Sequence, residues 1–182
     1  GAGLIFRGGT HDLNTGAALT GAGDVNVTAG TLNLNDGGID RLTGTLNVTG
    51  GSLNAPNGLV SLLVGQTLNP TGTTLNVNGG TITANGTTPL FNLTGGIFNL
   101  VGASNSLINA NAGNITLATR LLGLSNSSGA SINRFFSLAG NSSFSILNDG
   151  LAHISGGSSL TVTGNSLGVF GAGTNTLSFG NA

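Results

Sequence analysis

The stretch VNVTAGTLNLN, Val25 to Asn35, decides how this chain is read. Its apolar residues Val25, Val27, Leu32 and Leu34 alternate with Asn26, Thr28, Asn33 and Asn35 on either side of Ala29-Gly30. Alternation with period two sends one set of side chains to a buried face and the other to an exposed face. The small pair between the runs marks a corner, so the phrase predicts two short strands joined by a bend. Close copies follow as LNVTGGSLN from Leu46, LNVNGGTIT from Leu75 and FNLTGGIFN from Phe91. Their starts lie about 21, 29 and 16 residues apart, with an apparent insertion near GLVSLLVGQTLNP and weaker echoes at LINANAGNI from Leu107 and AHISGGSSL from Ala152. The phrase LNVTGGSLN holds no acid, base, thiol or metal ligand, so its repetition points to construction rather than to chemistry.

Strands of three to five residues with corners this frequent do not bury a face alone, so neighbouring copies must cover one another. Stacking similar turns about 4.8 Å apart achieves this, each backbone pairing with the turns above and below. The expected architecture is all-β: a β-solenoid, read as a parallel β-helix, forming one elongated domain over residues 1–182. At roughly 18 residues per coil, about ten short coils give a rod on the order of 50 Å long. An antiparallel sandwich or meander is the alternative, because Asn57-Gly58, Asn78-Gly79, Asn85-Gly86, Asp36-Gly37 and Asp149-Gly150 are dipeptides that favour hairpin turns. The repeat favours the parallel stack, since aligned copies set Asn over Asn and Thr over Thr in outward polar ladders. Phe91, Phe98, Phe135, Phe136, Phe144, Phe170 and Phe179 all lie in the second half, which predicts a wider or better-filled interior there.

Composition removes several function classes. Glycine supplies 34 of 182 residues and Asn, Thr and Ser much of the remainder, a mixture that disfavours helices. Hydrophobic residues at 38% and their regular spacing argue against disorder. Four Arg and five Asp are the whole charge inventory, too little for nucleic acid or a basic membrane-binding face. No apolar run reaches the roughly 18 to 20 residues of a membrane span, so no membrane insertion is expected. Cysteine and methionine are both absent, and without Met at position 1 the chain reads as a processed or excised piece of a longer product.

The segments AALTGAGDVNVTAGTLNLN, Ala17 to Asn35, and TGTLNVTGGSLN, Thr43 to Asn54, resemble the Gly/Thr/Asn-rich strand repeats of large bacterial surface proteins. Those are the autotransporter passengers and filamentous-haemagglutinin-like exoproteins. The resemblance covers residues 17 to 100 well and the remainder loosely. It implies a secreted or surface-exposed β-helical stalk, fibre or adhesin, and it brings no catalytic residues with it.

Candidate chemistry is sparse. Glycoside hydrolysis needs two carboxyl groups at a set separation, and the supply is Asp12, Asp24, Asp36, Asp40 and Asp149, each in a turn-like context where Asp bends or caps the chain. His11 and His153 lack the converging partners of a metal site, so no catalytic residue, metal or cofactor is assigned. Arg41 follows Asp40 and Arg134 precedes Phe135-Phe136, which suggests local pairing or stacking. Seven glycosylation sequons, at Asn26, Asn47, Asn85, Asn92, Asn114, Asn126 and Asn141, fit chance in a chain this rich in Asn, Ser and Thr.

Two surfaces remain. Leu4, Ile5 and Phe6 at one end and Leu177 and Phe179 at the other belong to strands able to pair with another copy, since neither terminus carries a charged capping helix. Thr45, Thr49, Thr81, Thr83, Thr161 and Thr163 offer outward hydroxyls for a ligand face toward carbohydrate or ice. The functional expectation is a non-enzymatic structural segment of an extracellular filament, sheath or adhesive stalk. Its expected partners are itself, as homopolymer or longer parent chain, and extracellular polysaccharide.

Overall fold

A computed structural model describes residues 3–35, 39, 41–100, 102–164 and 167–180. Every strand-to-strand ladder among them is parallel, and together they wind as a β-solenoid without helix. The first coils are β1 (Leu4–Leu13) with β2 (Thr20–Gly21), β3 (Val25–Leu34) with β4 (Arg41–Leu42), and β5 (Leu46–Thr49) with β6 (Ser52–Asn54). Wider coils follow: β7 (Val60–Leu63), β8 (Thr67–Leu68), β9 (Leu75–Asn78) and β10 (Thr81–Ala84), then β11 (Phe91–Thr94), β12 (Ile97–Leu100), β13 (Ile108–Asn111) and β14 (Asn114–Leu117). The next is β15 (Leu122–Ser125), β16 (Gly129–Ile132), β17 (Phe136–Ala139) and β18 (Ser143–Ile146), and the last is β19 (Ala152–Ile154), β20 (Ser159–Val162), β21 (Gly168–Phe170) and β22 (Thr176–Phe179).

The building block is an arm of strand, corner and strand. A 12-stranded sheet stacks one arm through the whole length, in the order β21-β17-β13-β9-β5-β3-β6-β10-β14-β18-β22 with β1 paired to β3. Two 4-stranded sheets, β19-β15-β11-β7 and β20-β16-β12-β8, form a second arm that exists only from Val60 onward. Coil length changes accordingly, from 21 residues between Asn26 and Asn47 to 33 between Asn76 and Asn109. The solenoid therefore has about four full-width turns preceded by narrower ones, and the expected ten coils are not there. Arms begin at Val60, Leu75, Phe91, Ile108, Leu122, Phe136, Ala152 and Gly168, roughly every 14 to 17 residues, so the repeated phrase marks arms, two to a wide turn. Leu75 stacks on Leu46, whereas Phe91 belongs to the other arm and stacks on Val60. With roughly seven rungs at 4.8 Å the column is about 30 Å high, shorter than the expected rod.

Burial follows the alternation seen in the sequence. Val25, Val27, Leu32, Leu34, Leu46, Val48 and Leu53 line the narrow section, all aliphatic and all buried. The wide section encloses more space per turn and fills it with Phe91, Phe98, Phe135, Phe136 and Phe144. Phe91 and Phe98 face each other across their arm with ring centroids 5.8 Å apart, edge to face. Beneath and above Phe98 lie Leu68 and Ala130, so a large side chain is followed by a small one along the stack and the layers interlock.

Two glycines explain the corner. Gly79 has φ of 67°, the left-handed turn that swings the chain from β9 into β10, and a Cβ there would meet nothing. One coil later the same place is filled by Ala112 with φ of 53°. Gly80 has ordinary φ but no room, because a Cβ would lie 2.8 Å from both Cγ1 and the carbonyl oxygen of Val48 in the coil below. The first corner glycine thus serves backbone conformation and the second serves coil-to-coil approach. Gly79→Ala is expected to cost about 1 kcal/mol and Gly80→Ala about 2–4 kcal/mol, measured by urea unfolding. The opposite ranking would break this account of the corner.

Candidate functional site

The described side chains offer three groups of features: outward ladders, corner serines and one charged cluster. In the ladder on β3, β5, β9 and β13, Asn47 Nδ2 donates to Asn26 Oδ1 at 3.0 Å, Asn76 to Asn47 at 3.2 Å and Asn109 to Asn76 at 2.8 Å. A second runs along the other strand of the arm, where Asn33 donates to Asp12 at 2.6 Å and Asn54 to Asn33 at 2.7 Å. Above Asn54 the same column continues as Thr83, Thr116, Ser145 and Ser178. Beside it runs Thr31, Ser52, Thr81, Asn114, Ser143 and Thr176. These two columns make a wall of short hydroxyl and amide side chains carrying no cation.

Of the six threonines expected to share a ligand face, only Thr81 and Thr83 lie on this wall. Thr45 precedes β5 and Thr49 ends it at the corner, while Thr161 sits on β20 of the second arm with Thr163 just beyond. Strand alternation is local to the chain, but which strands are stacked neighbours depends on coil length, and coils of 21 to 33 residues take the place of the expected roughly 18.

Two corner serines do work that strand alternation alone does not announce. Ser128 Oγ donates to the Ser125 carbonyl at 2.5 Å and accepts from the Gly95 amide at 2.7 Å. Ser142 repeats the device, donating to the Ala139 carbonyl at 2.6 Å and accepting from the Gly113 amide at 3.1 Å. Both serines are buried, and each closes its own corner while satisfying a backbone N–H of the preceding coil. Lengthened corners such as SNSSGA and GNSSF carry the signal, a serine just before the inward strand.

The charged cluster lies on the loops between arms. Arg120 Nε donates to Asp149 Oδ2 at 2.6 Å, its Nη2 pairs with the same oxygen at 2.5 Å, and Thr119 Oγ1 adds a bond at 3.1 Å. Arg120 Nη1 also meets His153 Nδ1. Burial pushes the Asp149 carboxyl up, but the Gly150 amide, the Arg120 guanidinium and the Thr119 hydroxyl outweigh it and hold it below the usual carboxylate value. Other ionic groups have structural posts. Asp24 Oδ1 accepts from the Thr45 amide at 2.9 Å, and Arg134 Nη2 donates to the Ala103 carbonyl at 2.8 Å rather than stacking on Phe135 or Phe136. His11 Nε2 lies 2.9 Å from the Gly8 carbonyl with its ring against Phe6. Asp36 and Asp40 lie outside the described residues, and so does the expected pairing of Arg41 with Asp40. Among the described residues no three His, Cys, Asp or Glu side chains converge as a metal site.

The terminal strands occupy opposite ends of the column. Leu4 and Phe6 stand over Val25 and Val27 as the first rung of the core, whereas Ile5 stands over Asn26 on the outer face. Leu177 and Phe179 stand over Phe144 and Ile146 as part of the last rung. A scan against protein-family models, a search of curated proteins and a search of solved structures each find no match to this chain.

Ser142→Ala is expected to lower stability by about 1–3 kcal/mol, because the Gly113 amide loses its partner in a closed site. Chemical denaturation checks this, and no loss would show that the corner bond is dispensable. The ion pair makes a second expectation. Since the Asp149 carboxyl is held low, its contribution is present above the ordinary carboxylate range and lost as pH falls through the depressed value. Asp149→Asn should therefore flatten the acid limb of the stability–pH curve by about 1 kcal/mol or less and leave the neutral limb parallel. An unchanged acid limb would assign acid sensitivity elsewhere.

Proposed function

We propose that this chain is a structural segment of an extracellular filament, sheath or adhesive stalk, extended by coil-on-coil contact at its end faces. The observation that carries this reading is that, among the described residues, both end faces are uncovered cross-sections of the core. Phe170 and Phe179 on the last rung are 53% and 48% exposed, while Leu138 and Ile146 directly beneath them are 0% exposed. Leu4, on the first rung, is 48% exposed over the buried Val25. Among the described residues each of these rungs has backbone partners on one side only, the condition under which a strand edge templates further strands. The matching occupant is another coil, supplied by a longer parent chain or by a second copy. Location at the cell surface rests on the resemblance of the Gly/Thr/Asn repeats to bacterial surface proteins. A polysaccharide-active enzyme is the weaker reading, because Asp12, Asp24 and Asp149 each make a structural hydrogen bond.

A second reading is supported by the uncharged wall of Thr81, Thr83, Asn114, Thr116, Ser143 and Ser145, which suits a neutral hydroxyl-rich surface such as carbohydrate or ice. Column-forming segments need no such wall to be free, so a charged substitution separates the two. Thr83→Lys with Thr116→Lys abolishes surface binding and spares association through the ends.

Electron microscopy and sedimentation of residues 1–182 test the first reading. Association into rods whose length is a multiple of the single column is expected, with Phe170→Arg plus Phe179→Arg reducing it to single columns. Deleting residues 1–6 should weaken the same association. A chain that stays a single column at every concentration would overturn extension by second copies, and rods indifferent to all these changes would overturn the end faces as the contact.

A further inference from the structure

We propose that Asn85 is a site of spontaneous covalent modification, at which attack by the Gly86 backbone nitrogen converts the asparagine to an aspartyl or isoaspartyl residue. Three Asn-Gly pairs occur in the chain, and the fold treats them differently. Asn57 Nδ2 donates to the Asn35 carbonyl at 2.5 Å, and the Gly58 amide donates to the Ala55 carbonyl at 3.2 Å. Asn78 Oδ1 accepts from Asn111 at 3.4 Å, and the Gly79 amide is tied to the Asn111 carbonyl at 3.0 Å. In both pairs the side-chain amide and the attacking nitrogen are each engaged by another partner, a bond that must break before attack. Asn85 is exposed in the loop between β10 and β11, and among the described residues neither its side chain nor the Gly86 amide makes a hydrogen bond.

The reaction balances with water alone. Solvent hydroxide removes the Gly86 amide proton, the nitrogen bonds to Asn85 Cγ, and the Cγ–Nδ2 bond breaks to release ammonia. Water then opens the cyclic imide at either carbonyl. The residue that makes this attack easy is also fixed in place: a Cβ at Gly86 would lie 1.7 Å from the Pro56 carbonyl oxygen of the coil below. Only glycine fits, so packing preserves the labile pair. The product puts a carboxylate into a shallow cleft lined by Thr87, Ala118, Thr119 and Asn148, beside the loop that carries Arg120. It adds negative charge to a loop surface and accumulates with the age of the molecule.

Peptide mass spectrometry of the folded protein, aged in mildly alkaline buffer, tests the proposal. Position 85 should convert roughly tenfold faster than positions 57 and 78, the factor expected when a hydrogen bond or two must first be broken at those sites. In urea-unfolded chain the three should agree within about twofold, since the sequence neighbours are then all that differ. Conversion at 85 no faster than at the other two in the folded state would overturn the assignment. Asn85→Gln, which leaves the loop glycine in place, should remove the acidic species from isoelectric focusing, and its persistence would overturn it as well.

Discussion

Coil-on-coil register is the constraint on which everything else in this molecule depends. A rung of this column places each residue directly over a residue of the coil below, so side-chain chemistry is compared vertically, at about 4.8 Å, rather than along the chain. Leu46 over Val25, Val48 over Val27 and Asn47 over Asn26 form one such comparison. Apolar columns close the interior, and amide columns hydrogen-bond on the outside. A shift of one residue would put the asparagines into the core and the valines into solvent, so the amide ladder and the apolar column enforce the same register from opposite faces. Net hydrogen-bond energy per rung is modest, about 1 kcal/mol, but it recurs along the stack.

The change in coil width follows from that rule. A narrow turn is one arm with a return loop, and its buried interior is mostly Val and Leu, joined by Ile39 and Ala55. Adding a second arm at Val60 lengthens the turn and opens interior space that aliphatic side chains would leave underfilled. Phe91 and Phe98 enter as soon as the second arm has a coil to rest on, and Phe136 and Phe144 repeat the solution in the next turn. Where the ring of Phe136 reaches under β21, the residue above is Gly168, whose Cβ would fall 2.0 Å from the ring. Large and absent side chains are thus matched between turns.

Much of this was legible in the residues themselves, and the limit has a physical cause. Alternation in VNVTAGTLNLN gives the inward Val25, Val27, Leu32 and Leu34 without error, because face assignment is a local property of extended backbone. Stacking partners are not local. The phrase at Phe91 looks like a copy of the one at Leu75, yet the two sit on different arms of the column, since the chemistry of an arm is the same on either side of a turn. Contacts across coils inherit the problem. Arg120 and Asp149 are 29 residues apart, a full wide turn, and a coil of roughly 18 residues would never set them together. Asn78-Gly79 favours a hairpin in isolation, and the left-handed residue is indeed there, but it bends an arm inward between two parallel ladders instead of reversing a strand.

The two end faces differ, and this gives any column extended through them a direction. The last rung presents both arms, with Ile154, Leu167, Phe170 and Phe179 exposed across it. The first rung presents β1, a single arm, with Leu4 as its exposed inward residue. A coil laid on the wide face must itself carry two arms to cover β19 and β20 as well as β21 and β22, whereas the narrow face is covered by one arm and a loop. Joining wide to narrow leaves half of the wide rung uncovered, so the apolar area at stake is larger at the wide end. Because hydrophobic stabilisation scales with the area removed from water, a two-armed coil laid on the wide face would be held more strongly than a one-armed coil laid on the narrow face, whereas a wide-to-narrow joint would bury the same area whichever end gained the copy.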